Sequence, residues 1–362
     1  MNLAAKTKAK STGKHLKQYE KEMNMCIRCA YCFEKCPVIK EIKWDTDGAR
    51  GKVIMSYGLL TGELQPSQYI ADKVFRCTFC RDCLDRCPSK VSILSIIASA
   101  RAEIVDAGFA SDTHKHIIDN IKKTGNIYGD TEVISQEKEG KTPLFLGCQY
   151  LGRPNKTKKY VKILEKLDIK PTIVKEICCG FPMEVLGFKE DYEKHKDNFK
   201  KHFPFKEAIA LCPTCTVFLN EGHEIKAKHV LQIILEKLPK ADLNMKVTYH
   251  DPCDFSRGLK IIEEPRKILE KLGVEIIEMK NNKENSRCCG GGGGILMTDQ
   301  ELSNDIAKKR IHEALETGVD TLVTSCPTCE TTLKKAAQEI SETEGKTISV
   351  RSMEDIIWKG LK

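Results

Sequence analysis

The spacing of the cysteines constrains this chain more than any other feature. Residues 26–37 read CIRCAYCFEKCP and residues 77–88 read CTFCRDCLDRCP. Each is C-x2-C-x2-C-x3-C-P, and every cysteine of the second run lies 51 positions after its counterpart in the first. Three thiolates at this spacing wrap one corner of a cubane [4Fe–4S] cluster, and the fourth, before proline, usually ligates the neighbouring cluster. The pattern assigns Cys26, Cys29, Cys32 and Cys87 to one cubane and Cys77, Cys80, Cys83 and Cys36 to a second. A pair of zinc sites is the competing reading, but zinc favours separated C-x2-C pairs.

Ten of the 18 cysteines remain, and they split into two sets of five. One is Cys148, Cys178–Cys179 and the C-P-T-C of Cys212 and Cys215. The other is Cys253, Cys288–Cys289 and the C-P-T-C of Cys326 and Cys329. The copies begin about 105 residues apart and share more than cysteine: ILEKLDI matches ILEKLGV, and AIALCPTCTVFL matches TLVTSCPTCETTL. In each copy, short apolar runs (TPLFLGC, TIVKE, EAIALC; KVTYHDPC, VEIIEM, TLVTSC) alternate with helical patterns, including 155–168 and 263–272. Each copy therefore reads as a small α/β unit with parallel strands, its cysteines at the carboxyl ends of strands, where such sheets place their sites. Proline in C-P-T-C suits the first turn of a helix, whose positive end would face an anionic cluster.

Between and after the first two runs, DTDGARGKVIMSYGLLTGEL and SILSIIASARAEIVDAG look helical. The expected fold class is α+β and multidomain: an N-terminal helical, ferredoxin-like two-[4Fe–4S] domain, then two tandem-duplicated α/β domains. The expected boundaries are a basic flexible tail at 1–14, the cubane domain at 15–125, and the duplicated units at 141–240 and 245–362. A chain of 362 residues has room for several cores. Half of the net charge of +8 comes from Lys6, Lys8, Lys10, Lys14, Lys17 and Lys21 set against Glu20 and Glu22. That start reads as a solvated tail, with a docking arm for an acidic partner or membrane surface as the alternative. Nothing interleaves basic and aromatic residues as a nucleic-acid site would. Without a secretory signal or an eighteen-residue apolar run, the expectation is a soluble, cytoplasmic chain, and its cysteines point to metal rather than disulfides.

Five thiols exceed what a cubane needs, and adjacent cysteines suit a site where a sulfur bridges metals. A vicinal disulfide and a four-ligand zinc site are the alternatives. The glycines after each pair, Gly180 and Gly290, Gly291, Gly292 through Gly294, are expected to bring main-chain amides onto cluster sulfides. A floppy linker is the bland alternative.

Two C…CCG…C-x-x-C units behind paired cubane runs resemble the CCG-domain proteins, in particular the D-type subunit of heterodisulfide reductases, which joins a C-type ferredoxin-like subunit to a B-type catalytic subunit. The likeness covers residues 20–362. It implies two noncubane [4Fe–4S] clusters on the five-cysteine sets, zinc in one of them being an alternative. It also implies a small-molecule disulfide, such as the coenzyme M–coenzyme B heterodisulfide of methanogenesis, reduced to two thiols between them. Electrons would come from a membrane cytochrome b-type, flavoprotein or hydrogenase subunit, which could hold the chain at the inner face of a membrane. Relatives often continue D-P-C-H-L-G-R, whereas this chain has DPCDFSRG, with Asp254 in place of histidine. Arg153 and Arg257 are candidate anion clamps, and His250 a candidate proton donor. The alternative function is an electron-transfer subunit of a glycolate or lactate oxidase-type or sulfur-metabolism complex. No GxGxxG follows a strand, so no flavin or nicotinamide site is evident.

Overall fold

The computed structural model describes residues 13–129 and 137–362. Lys6, Lys8 and Lys10 of the basic segment lie outside the described residues. Lys14 is described and pairs with Glu190 at 3.0 Å.

The first part of the chain is helical. Its longer helices are α1 (Ala49–Thr61), α2 (Gln68–Phe75), α3 (Ile93–Asp106) and α4 (Asp112–Thr124). Local signals set their ends. Ser67 and Ser111 accept hydrogen bonds from Ile70 N and His114 N as N-caps, and Gly62 and Gly125 adopt the left-handed conformation just past α1 and α4. Helix α3 lies against α1 and α2.

The rest holds two four-stranded sheets with one topology. The first unit contains β1 (Thr142–Phe145), α5 (Cys148–Leu151), α6 (Pro154–Lys166), β2 (Pro171–Thr172), α7 (Phe181–Val185), α8 (Lys189–His202), β3 (Glu207–Ala210), α9 (Pro213–Gly222), β4 (Lys226–His229) and α10 (Val230–Lys237). The second contains β5 (Met245–His250), a π-helical turn at Asp254–Leu259, α11 (Glu263–Lys271), β6 (Val274–Ile276), α12 (Gln300–Leu315), β7 (Thr321–Thr324), α13 (Pro327–Glu344), β8 (Ser349–Ser352) and α14 (Met353–Gly360). The strand orders are β2-β1-β3-β4 and β6-β5-β7-β8, every pair parallel. The central strands end in register, Phe145 beside Ala210 and His250 beside Thr324. The chain therefore leaves both at one end of each sheet, which is where the cysteines follow. Pro213 and Pro327 occupy the first turns of α9 and α13, as the C-P-T-C reading requires. The fourth strands, β4 and β8, have no counterpart among the apolar runs of the sequence.

One apolar core runs from Leu16 through Ile96, Ile97, Leu144, Leu211 and Tyr249 to Ile357. It takes in residues of the helical part and of both sheets. A second core under α12 and α13 belongs to the second unit.

The two units grip each other reciprocally. α5, which opens with the first cysteine of unit one, packs on α13 of unit two, and the turn after the first cysteine of unit two packs on α9 of unit one. Arg153 donates to Pro327 O (3.0 Å) and Thr331 Oγ1 (2.6 Å), and Thr214 Oγ1 donates to Asp254 Oδ2 (2.6 Å). Lys156 reaches the buried carboxylates of Glu330 and Glu354 at 2.7 and 3.0 Å.

Candidate metal centres

All 18 thiols are free, and they gather into four groups. Cys26, Cys29, Cys32 and Cys87 line a cavity of about 370 Å³ with Arg50, Val53 and Ile93. Cys36, Cys77, Cys80 and Cys83 line one of about 380 Å³ with Lys52, Asp47 and Ile97. Each group draws its fourth thiol from the other run, the crossed set that the spacing requires. Burial pushes the Cys32 thiol up to about 11 and the Cys36 thiol up to about 12. Four soft sulfurs converging in walls this apolar suit a metal cluster, because a bound cation replaces the protons that burial would otherwise enforce.

The second cavity also carries a buried cation. Lys52 is 1% exposed, donates to Asp47 O, and feels Cys77 and Cys36 as its nearest anionic partners. Asp47 in turn pairs with Lys73 at 2.6 Å. A positive charge beside a cluster favours its reduced form, so Lys52 biases electrons toward this second site.

In the first five-cysteine site, Cys179 Sγ lies 3.8 Å from Cys215 Sγ, and Cys148 neighbours Cys178. Gly147 gives the close approach: a Cβ there would sit 2.9 Å from Cys215 Sγ, and its φ of +78° is already left-handed. His195 and His223 hold the carbonyls of Cys178 and Cys179, each through Nε2 at 2.6 Å. Glu176, buried, accepts from Leu146 N and Gly147 N at 2.9 and 2.6 Å. Burial raises its carboxyl to about 8 against the pull of those two amides. Crowding pushes the thiols apart in acidity, Cys178 up and Cys179 down, each through its neighbouring thiols.

The second site repeats the plan with Cys253, Cys288, Cys289, Cys326 and Cys329. Cys289, Cys329 and His250 present ligand atoms within 4.8 Å of one another. Arg310, fully buried, donates from Nε to His250 Nδ1 at 3.0 Å. Burial keeps His250 neutral, so its proton sits on Nε2, which faces Cys289. His250 is thus placed to donate to a sulfur rather than to ligate metal.

Three other expected residues are placed differently from their sequence reading. Arg257 is 5% exposed and is not an open anion clamp: it donates to Cys80 O (2.7 Å), Glu284 O (2.9 Å) and Ser286 O (2.9 Å). Arg153 spans the two units. Asp254 accepts from Thr214 and from Arg81 Nε at 3.3 Å, so the position where relatives carry histidine holds the interface together. The glycine cradle narrows as well. Gly180 N and Gly290 N reach Cys178 Sγ and Cys288 Sγ at 3.5 and 3.3 Å. The later glycines instead meet packed neighbours, with Cβ positions 2.6 Å from Thr328 Cγ2 at Gly291 and 2.3 Å from Thr78 O at Gly292.

Several residues at these sites escaped the sequence reading. Arg101, fully buried, donates to the carbonyls of Val74, Phe75, Cys77, Val185 and Gly293. Its signal is an arginine inside the apolar stretch SILSIIASARAEI. Tyr150 is buried near enough to both Cys212 and Cys326 for either thiolate to raise its phenol, so it lies between the two five-cysteine sites.

The family model for the 4Fe-4S dicluster domain matches residues 22–91, and that for the cysteine-rich CCG domain matches residues 143–220 and 247–334. The chain is a CCG-domain iron–sulfur protein. The B-type subunit of fumarate reductase (CoM/CoB) from Methanothermobacter marburgensis is 26% identical to it, over 94% of this chain and 73% of that protein. The D-type subunit of dihydromethanophenazine:CoB–CoM heterodisulfide reductase from Methanosarcina acetivorans is 25% identical, over 86% and 88%. EtfAB:quinone oxidoreductase of Syntrophomonas wolfei is 24% identical, over 94% and 58%. A crystal structure of a hypothetical protein from Helicobacter pylori superposes with a TM-score of 0.61 at 9% identity, over 96% of this CCG-domain protein and 72% of that chain, and so shares its fold. Relatives of this kind are oxidoreductase iron–sulfur subunits. No helix among the described residues is long and apolar enough to cross a membrane.

Proposed function

We propose that this CCG-domain protein is the disulfide-reducing subunit of a heterodisulfide reductase-like complex. The four-cysteine cavities would hold two cubane clusters, and the five-cysteine sites two noncubane ones. The overall change is one disulfide, two electrons and two protons giving two thiols. Bound iron–sulfur clusters supply one-electron transfer and a Lewis-acidic iron for the departing thiolate.

The residues supply the rest. Arg153, Lys156, Thr214 and Asp254 hold the two five-cysteine sites in fixed relation. His250 keeps a proton on Nε2 beside Cys289. His195 and His223 fix the Cys178–Cys179 backbone. The observation that carries the reading is the partition of all 18 cysteines into two crossed four-thiol cavities and two five-thiol sites on mutually packed units. The CoM/CoB pair in the names of two relatives makes that heterodisulfide the substrate to test first. A partner subunit supplies the electrons and any attachment to a membrane.

A second reading, a conduit without bond chemistry, is favoured by the likeness to a quinone-linked oxidoreductase along 94% of the chain. Anaerobic turnover of the heterodisulfide by purified protein and reduced viologen separates them. Thiol release at a steady rate supports the reductase. Viologen oxidation that stops once the clusters are filled refutes it.

A further inference from the structure

The two five-cysteine sites are alike in sequence but not in how they meet the second four-cysteine cavity. Cys80, which lines that cavity, has Cys288 as its hydrogen-bonding thiol neighbour. Arg257 fastens the same two segments, through Nε on Cys80 O at 2.7 Å and Nη1 on Ser286 O at 2.9 Å. The glycine run closes the other flank. A Cβ at Gly293 would lie 1.9 Å from Cys77 O, and one at Gly292 would lie 2.3 Å from Thr78 O. Arg101 pins this seam by donating to Gly293 O at 2.8 Å and Cys77 O at 3.1 Å.

The first site shows no such seam. The thiols that act on Cys178, Cys179, Cys212 and Cys215 all belong to their own set. Unit one meets the cubane region instead through side chains such as Arg81 on Glu221 at 3.2 Å, and through Gly187 against the backbone of Arg101.

We infer that electrons leave the second four-cysteine site through the Cys80–Cys288 contact into the second five-cysteine site, and that the first five-cysteine site is reduced only by way of the second. Each passage oxidises the second cubane by one electron and reduces the second five-cysteine site by one. Tunnelling falls exponentially with separation, and only this site is in thiol contact with the cubane among the described residues. The inference rests on the iron–sulfur filling proposed above.

The test is rapid freeze-quench EPR of the iron-loaded full chain mixed anaerobically with dithionite. Cys179→Ala removes a ligand of the first site and Cys289→Ala one of the second. The expected result is that Cys179→Ala still reduces its second site at the wild-type rate. Cys289→Ala should reduce both cubanes and lose reduction of the first site on that time scale. Gly293→Ala keeps every thiol but strains the seam, and is expected to slow reduction of the second site about tenfold with cubane reduction unchanged. That variant decides the matter should either cysteine variant fail to fold. Reduction of the first site at full rate in Cys289→Ala, or an unchanged rate in Gly293→Ala at full iron content, overturns the inference. Wild-type protein with signals from the cubanes alone overturns the proposed filling, and this inference with it. It is told apart by iron content, which would be about eight rather than about sixteen per chain.

Discussion

Arg101→Leu is expected to be the most damaging single change outside the ligands. The guanidinium has no exposure and donates to five carbonyls at 2.8–3.3 Å. Val74 and Phe75 end α2, and Val185 ends α7, so three of the five are helix-terminal acceptors that lack an intrahelical donor. Phe75 and Phe79 lie 4.9 and 4.7 Å from the cation across their ring centroids. Leucine fills much of the volume but leaves these oxygens buried and unpaired. A charged hydrogen bond contributes roughly 1.5–3 kcal/mol, and five around one group do not add, so a loss of about 4 kcal/mol is expected. With a urea slope near 3 kcal/mol/M for a chain of this size, the unfolding midpoint should fall by about 1.3 M. The assay is anaerobic urea unfolding followed by circular dichroism. Arg101→Lys, which keeps the charge but loses the fork, should fall between the two. A midpoint for Arg101→Leu within about 0.2 M of wild type, equivalent to about 0.5 kcal/mol, would show that these bonds do not hold the domains together.

Burial lowers His229 to about 3, from an ordinary value near 6.5; it accepts from Leu231 N and stacks 4.5 Å from Phe255. The unfolded chain binds the extra proton between these values. Stability is therefore full above about pH 6.5 and falls toward pH 3, by up to roughly 4 kcal/mol, and His229→Asn, which retains a capping side chain, should flatten that acid slope in a pH-dependent melt. Lys52→Met should lower the midpoint potential of the second cubane by on the order of 100 mV while sparing the first, and equal shifts in both by redox-titrated EPR would count against a local charge effect.

The cysteine groups were legible because ligand spacing is local within each run, and the crossing of the fourth thiol follows from cluster geometry. β1, β3, β5 and β7 were legible as apolar runs ending at cysteine. β4 was not: it reads KAKH, four residues at a sheet edge with its lysines outward, and edge strands carry no continuous apolar signal. Arg257 and the glycine run misled for another reason. A buried arginine and an unstrained glycine both announce close contact, but their partners, Cys80 and Thr78, lie some two hundred positions away in the chain. Sequence alone gives the need for a partner and not its address. The same holds for Arg101, whose acceptors come from three separate segments.

The mutual packing of α5 on α13 and of the Asp254–Leu259 turn on α9 is the contact that a two-fold dimer makes with itself, each copy offering the same pair of surfaces. A single ancestral unit bearing one five-cysteine site could have assembled this way from two identical chains. Joining the copies end to end removes the dependence on concentration and frees each half to drift. Ser286 stands where the first copy has Glu176, and His250 where it has Phe145. Only a fused pair could have acquired a seam to the cubanes on one side alone.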